Sequence, residues 1–419
     1  VSLPKPPEFV FSPFMSALRK IINDPVHGFI TVDSDPVFRI LSHPAFQRLR
    51  RIKQMALAYL VYPGAVHTRL HHALGAYHLM RQAIAELRGK GIAISAEEET
   101  GAQLAILLHD IGHGPFSHAL EHTLVDVTHE QLSLQIMQRL NHELNGALDT
   151  AIAIFTGTYP KHFLHQLVSS QLDVDRLDYL ARDSFFTGVS EGVIGYDRIL
   201  KMLHVVNDEL VVEEKGLHSI EKFLIARRLM YWQVYLHKTV LSSELMLVKI
   251  LHRARELARS GADLFSTPAL GYFLRNHFGA EAFLQNPECL DQFLRLDDSD
   301  VISAVKVWAD HEDAVLSDLC RRLTDRRLFK VRFFRDEERP EIEAMRKAWQ
   351  EAQTMDPQAW PYYWTEDETS NRAYNEGDEK IKILFKDGSL REISQVEHTL
   401  IHSELLLPVK KHYICSLRP

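Results

Sequence analysis

Cysteine is scarce in this chain of 419 residues: there are only three, Cys289, Cys320 and Cys415, far apart and odd in number. Such spacing excludes a disulfide framework and a cysteine-based zinc motif, and suggests reduced thiols in a cytoplasm. No apolar run approaches the roughly 18 residues that a membrane-spanning helix needs. The opening "VSLPKPPEFVFSPF" has prolines where a secretory signal requires unbroken apolar sequence, so residues 1–14 read as an extension, with Met15 opening the folded part. Positive charge is not in excess: the net charge is −8, which argues against a general nucleic-acid or membrane surface. A local basic pocket for an anionic substrate is still compatible with that balance. Internal repeats and long low-complexity tracts are also missing.

What remains is ordinary globular composition, 46% hydrophobic and 25% charged. The length implies more than one domain or subdomain. Apolar residues recur three and four apart over 65–88, 98–110, 116–140, 160–182 and 218–258, which predicts helices. "HVVNDELVVEEKG" alternates around Asn207-Asp208 and predicts an inserted hairpin. Beyond 328 the texture changes. "LFKVRFFRDE" and "KIKILFKDGSLREIS" read as strands, the second with an Asp-Gly turn, around a charged helix near 339–354. The stretch "MDPQAWPYYWTEDETSNRAYNEGDEK" reads as a polar, aromatic-rich loop. The expected fold class is mainly α: a helical core over 15–327 with a small inserted β-hairpin, then a C-terminal α+β subdomain over 328–419.

Histidine is abundant, with 23 in the chain, and "LLHDIGHGPFSHALEH" gathers four of them with two carboxylates between Leu107 and His122. His109 and Asp110 close one predicted helix, which Gly112 and Gly114-Pro115 terminate. His72 follows Arg69 by three residues on another, so the two share a face. Asp175, Tyr179 and Asp183 stand at i, i+4 and i+8 on a third and form a polar stripe facing either a site or water. On that helix Asp178 and Arg182 are spaced as an ordinary i, i+4 ion pair. Two histidines and two aspartates on three helices make a nitrogen–oxygen shell suited to Mn, Fe, Ni, Zn or Mg, with room for water. "HALEH" offers a rival, the inverted zinc-peptidase pattern of His118, Glu121 and His122, but it leaves His109-Asp110 and the Asp175 stripe without a role. The basic run "FQRLRRIKQ" reads on composition as a solvated helix face.

Taken in order, "INDPVHGFI", "FQRLRRIKQ", "YPGAVHTRLHHALG", "HDIGHGPFSH" and "LDVDRLDYLARD" resemble HD-domain phosphohydrolases from about Lys20 to Leu251. The likeness is greatest to the SAM-and-HD-domain deoxynucleoside triphosphate triphosphohydrolases and their bacterial relatives without a SAM domain. The resemblance implies an HD-domain helical core with His72, His109, Asp110 and Asp175 as ligands of a divalent metal, and Mg accompanying the nucleotide. It implies release of a whole triphosphate by water attack at the α-phosphorus. His118 would handle the proton, oriented by a carboxylate at Glu121, where the family carries aspartate. His113, grouped with these catalytic residues, and His129 match histidines that contact phosphates. Arg69 matches the arginine that grips the triphosphate, Gln54 a sugar-facing glutamine, and Tyr179 and Asp183 residues around the deoxyribose. His237 is expected on the phosphate side.

Lys20, Asn23, Gln47 and Arg50 match contacts of a regulatory nucleotide site, but Ser42 stands where the animal enzymes read guanine with aspartate. A nucleotide activator other than GTP is therefore an expectation, as is a cytoplasmic homo-oligomer, dimer or tetramer. The alternatives are an HD phosphohydrolase acting on a monophosphate, cyclic dinucleotide or alarmone, or a non-catalytic nucleotide sensor.

Overall fold

The helix Arg69–Gly89 is buried on most of its faces, through Leu70, Ala73, Leu74, Ala76, Tyr77, Leu79, Met80, Ala83, Ile84 and Leu87. A helix apolar nearly all round must lie at the centre of a core, and Ala96–Leu108 and Val174–Thr187 pack directly against it. The computed structural model describes residues 19–116, 121, 123–371, 379–396 and 409–417. The extension 1–14 and His118 lie outside the described residues. Among those described, no helix is long and apolar enough to cross a membrane. The three cysteines are free and buried.

The helical architecture agrees with the periodicity, with informative breaks. Among the described residues of the segment read as one helix over 116–140, helix runs from His129, as His129–Glu143. Thr128 caps it by accepting from Gln131 N, and Gln131 returns a bond to Thr128 N, so the chain enters the helix there. Ahead of it Val125–Asp126 is a short strand, parallel to Phe278–Gly279. The helix expected over 160–182 splits into His162–Val168 and Val174–Thr187. Asp173 causes the break by accepting from Ser170 N and Arg176 N, 2.8 and 2.7 Å. The segment 218–258 divides into Leu217–Met230, a wide π turn at Tyr231–Tyr235, and Lys238–Arg259.

The expected hairpin forms from Leu203–Val206 and Glu209–Glu213, and Asn207 and Asp208 both take the left-handed backbone its tight turn needs (φ 52° and 67°). Lys382–Leu384 and Leu390–Glu392 form the Asp-Gly hairpin, but it joins the inserted one: the sheet order is Leu390–Glu392, Lys382–Leu384, Glu209–Glu213, Leu203–Val206. A separate antiparallel sheet places Val409–Ser416 between Lys330–Phe334 and Trp364–Asn371. The strand Trp364–Asn371 corrects the reading of its segment as loop. Its polar residues sit on an edge strand paired on one side only, where alternating apolar residues are not required. Chain beyond 328 is thus divided between a sheet of its own and one shared with the helical core.

Candidate active site

Three helix termini bring the chemistry together. Arg69 opens its helix directly after the Thr68 cap and His72 follows one turn later. Ala96–Leu108 ends at His109, where the chain turns through Asp110 to Gly112. Gly112 N donates to Ser133 Oγ (2.9 Å), and that hydroxyl donates to His109 O (2.7 Å). A Cβ at Gly112 would run into the backbone of His129 and Ser133, so glycine is what lets this loop pass. Arg48 holds the same loop from beneath. It is fully buried and donates to Ile111 O (3.3 Å), His113 O (2.8 Å) and Leu296 O (2.8 Å). The basic run is therefore only in part a solvated face: Arg50 and Arg51 are exposed, but Arg48 is buried, Arg51 pairs with Asp297, and Lys53 pairs with Asp298 at 3.4 Å. The acidic partners lie some 245 residues away in sequence, out of reach of local reasoning.

Ligand atoms of His72, His109 and Asp175 lie within 4.8 Å of one another. His72 Nδ1 is bonded to Asp178 Oδ2 (2.8 Å) and His109 Nδ1 to Ile106 O (2.6 Å). Both acceptors require a proton on Nδ1, so in the neutral ring each Nε2 carries a lone pair. Those Nε2 atoms are buried without a hydrogen bond. They face carboxylate oxygens: His72 Nε2 is 3.0 Å from Asp175 Oδ1, and His109 Nε2 is 3.5 Å from Asp175 Oδ1 and 3.4 Å from Asp110 Oδ1. Lone pairs converging at such distances repel unless a cation lies among them, so the donor set fits a divalent metal. Without one, and although burial opposes it, Asp175 and Asp178 push His72 up to about 10. Asp110 is shared, since its Oδ2 accepts from Arg69 Nη1 at 2.6 Å while its Oδ1 lies 3.3 Å from His113 Nε2.

Asp178 is the residue sequence reasoning undervalued. Its pairing with Arg182 exists (2.9 Å), but both are fully buried, and Asp178 also binds His27 Nε2 (2.6 Å) as well as His72. Arg182 in turn holds Asp24 (2.8 Å). The motif "INDPVHGFI" is thereby tied to the histidine it helps orient. Its signal was the charged i, i+4 pair on a helix whose other faces are apolar.

One cavity of about 470 Å³ opens beside this cluster. Asp110, Asp175, Arg69, His113 and His129 line it, together with Gln54, Tyr179, Asp183 and Tyr235. The stripe Asp175, Tyr179, Asp183 therefore faces inward. His113 and His129 stack with ring centroids 3.9 Å apart. Burial and the Arg69 charge push His113 well below the ordinary histidine range, which keeps it neutral. Asp183 accepts from His67 Nε2 (2.8 Å) and from the Tyr235 hydroxyl (2.6 Å). Gln54 Oε1 is a buried acceptor with no hydrogen bond. Glu121 binds His129, through its backbone N (3.2 Å) and Nδ1 (3.4 Å).

His237 is not among the cavity-lining residues. Its Nδ1 accepts from Thr239 N (3.2 Å) and caps Lys238–Arg259. Tyr231 and Tyr235 from the π turn line the cavity instead, because the break in that helix turns them there. Lys20 and Asn23 are exposed on the strand Lys20–Asp24, and Arg50 Nε donates to Gln47 Oε1 (2.7 Å) on a different segment.

The sequence matches the HD domain family over residues 69–183, the interval that carries all four expected ligands, and the HD associated region over 194–266. The uncharacterized protein YwfO of Bacillus subtilis is 34% identical over 393 residues, covering 90% of this chain and 87% of that protein. This chain belongs to the HD-domain phosphohydrolase family. A crystal structure of a phosphohydrolase, BT4208 of Bacteroides thetaiotaomicron, superposes with a TM-score of 0.90 at 50% identity, covering 96% of this chain and 100% of that one. The human deoxynucleoside triphosphate triphosphohydrolase SAMHD1 is 31% identical over 264 residues, 52% of this chain and 42% of its own length.

Proposed function

We propose that this HD phosphohydrolase hydrolyses deoxynucleoside triphosphates to a deoxynucleoside and intact triphosphate. The observation that carries the reading is one cavity lined by Asp110 and Asp175 of the metal-fitting cluster, by Arg69, His113 and His129, and by Tyr179, Tyr235 and Asp183. Its volume lies within the range of small-ligand sites, ~300–1,000 Å³. The similarity to SAMHD1 supports the same choice of substrate.

His72, His109, Asp110 and Asp175 would hold the metal, identified by its donor set as Mn, Fe, Ni, Zn or Mg. A bound divalent ion would supply charge neutralisation and an acidified water. Arg69 presents a planar fork that suits two phosphate oxygens, and its tie to Asp110 positions it at the cluster. His113, neutral, donates or accepts a hydrogen bond without adding charge, and His129 is steadied by Glu121. The reaction forms a bond from water oxygen to the α-phosphorus and breaks the bond to O5′. His118 is assigned the proton that reaches the departing O5′. Tyr179, packed at the sugar, disfavours a 2′-hydroxyl, while Asp183 accepts from the 3′-hydroxyl and Gln54 faces the sugar. The further assignments are a cytoplasmic homo-oligomer and a nucleotide activator bound by Lys20, Asn23, Gln47 and Arg50. Self-association is supported by Ile21 and Phe29, 55% and 71% exposed on one face of the N-terminal hairpin.

Ion-exchange analysis of products tests the reaction, with Mn²⁺ or Fe²⁺ and each dNTP alone and in mixtures. Deoxynucleoside plus triphosphate, lost in His109→Ala and Asp110→Ala, is the expected result. Activity confined to mixtures would support the activator, and absence of triphosphate under every metal would overturn the reading.

A further inference from the structure

Setting aside the groups assigned to phosphate and sugar leaves several cavity-lining residues without a role. Among them Met55, Ala56, Leu236, Val240 and Leu241 are aliphatic, and Glu244 lines the same cavity. Helical spacing explains the grouping: Val240, Leu241 and Glu244 are i, i+1 and i+4 on Lys238–Arg259 and share a face. Aliphatic walls suit the flat faces of a nucleobase. A carboxyl among them is costly to bury unless something donates to it.

Nothing in the protein does so among the described residues: Glu244 has neither hydrogen bond nor ion pair, and burial alone pushes it up to about 7. Arg176, a cation on the same cavity wall, is already committed, donating to Ser170 O at 2.8 Å and pairing with Asp173 at 3.5 Å. Glu244 is half-buried and opens to the cavity, where a ligand that displaces water would supply the donors.

We propose that Glu244 reads the nucleobase, accepting from the hydrogen-bonding edge of guanine and disfavouring thymine. This rests on the nucleotide reading above. Guanine presents two adjacent donors, N1–H and the N2 amino group, which match the two oxygens of a carboxylate in charge-assisted bonds. Adenine and cytosine offer one amino donor beside a ring acceptor and rank between. Thymine offers N3–H flanked by two carbonyl oxygens, whose lone pairs oppose a carboxylate. Hydrogen bonds to a charged group make the expected preference for dGTP over dTTP roughly tenfold to a hundredfold.

The test compares wild type, Glu244→Gln and Glu244→Leu in the full chain with Mn²⁺, measuring kcat and KM for the four dNTPs. Calorimetric titration of dGTP and dTTP into the same proteins carrying His109→Ala reads binding without turnover. Glutamine can donate to a thymine carbonyl and accept from N3–H, so Glu244→Gln should gain dTTP and lose dGTP. Glu244→Leu should erase the discrimination, with both changes falling in KM rather than kcat. Urea unfolding verifies that each variant folds, and the near-isosteric glutamine keeps the test valid should leucine fail to fold. If wild type takes all four dNTPs equally and neither variant alters the ranking, the base assignment is overturned while the hydrolase reading stands. Selective, Glu244-dependent binding with no hydrolysis by wild type would uphold the base site and remove the reaction. No binding of either nucleotide would overturn both.

Discussion

Replacing Gly75 with alanine sets two effects of opposite sign against each other. Gly75 lies within Arg69–Gly89, and in a helix interior alanine is favoured over glycine by about 1 kcal/mol. Local propensity alone therefore predicts a more stable protein. The tertiary structure predicts the reverse. A Cβ at Gly75 would sit 2.7 Å from Asp178 Cγ and closer still to Asp178 Oδ1 and Arg182 Nη2. Both side chains are fully buried, and Asp178 is also held by His27 and His72, so neither can swing aside. Either the ion pair separates or two packed helices move apart. Overpacking costs roughly 1–3 kcal/mol, and parting a buried pair about 3–5 kcal/mol. One movement relieves both strains, so the costs overlap rather than add. After the propensity gain, a net loss of about 2–4 kcal/mol is expected. Urea unfolding measures it, provided the m-value is unchanged. A midpoint equal to or above wild type would refute the packing argument. A second readout follows from His72: folded Gly75→Ala protein should bind divalent metal more weakly, because its orienting carboxylate has been displaced.

Asp178→Asn should lower metal affinity by roughly tenfold to a hundredfold, the usual cost of losing a partner behind a ligand histidine. Competition against a chelator measures this, and unchanged affinity would dismiss the orienting role. Arg48→Met leaves the carbonyls of Ile111, His113 and Leu296 without their donor. At about 1–3 kcal/mol for each buried acceptor, less what water recovers, a loss of at least 3 kcal/mol is expected in denaturant unfolding. Glu244→Gln should change how stability depends on pH. Burial raises the folded-state carboxyl to about 7, so its contribution is fully present below the unfolded glutamate range and is lost as pH rises through about 7. The variant should match wild type near pH 4 and exceed it by up to about 3 kcal/mol at pH 8. Parallel stability curves for the two proteins would contradict this.

His72, His109, Asp110 and Asp175 could be singled out as candidate ligands because each stands at a helix end or on a periodic face, and the family resemblance joined them into one set. The inserted hairpin was legible for a similar reason: Asn207-Asp208 tolerates the left-handed backbone that its turn demands. The helix breaks at Asp173 and His237 were harder to see, since both depend on side chains that cap the next turn rather than on apolar rhythm. The second break decides that Tyr231 and Tyr235 face the cavity while His237 caps a helix.

By itself the sequence determined the helical class and offered the residue types of a metal-fitting shell, because helical rhythm and helix ends are set by residues near one another along the chain. Only the tertiary structure decided that Arg48 is buried beneath the His109–His113 loop, that Asp178 orients His72, and that Glu244 enters the cavity without a partner. Those facts depend on contacts between distant segments. A charged residue written among polar neighbours looks the same in sequence whether it ends in water or in the core.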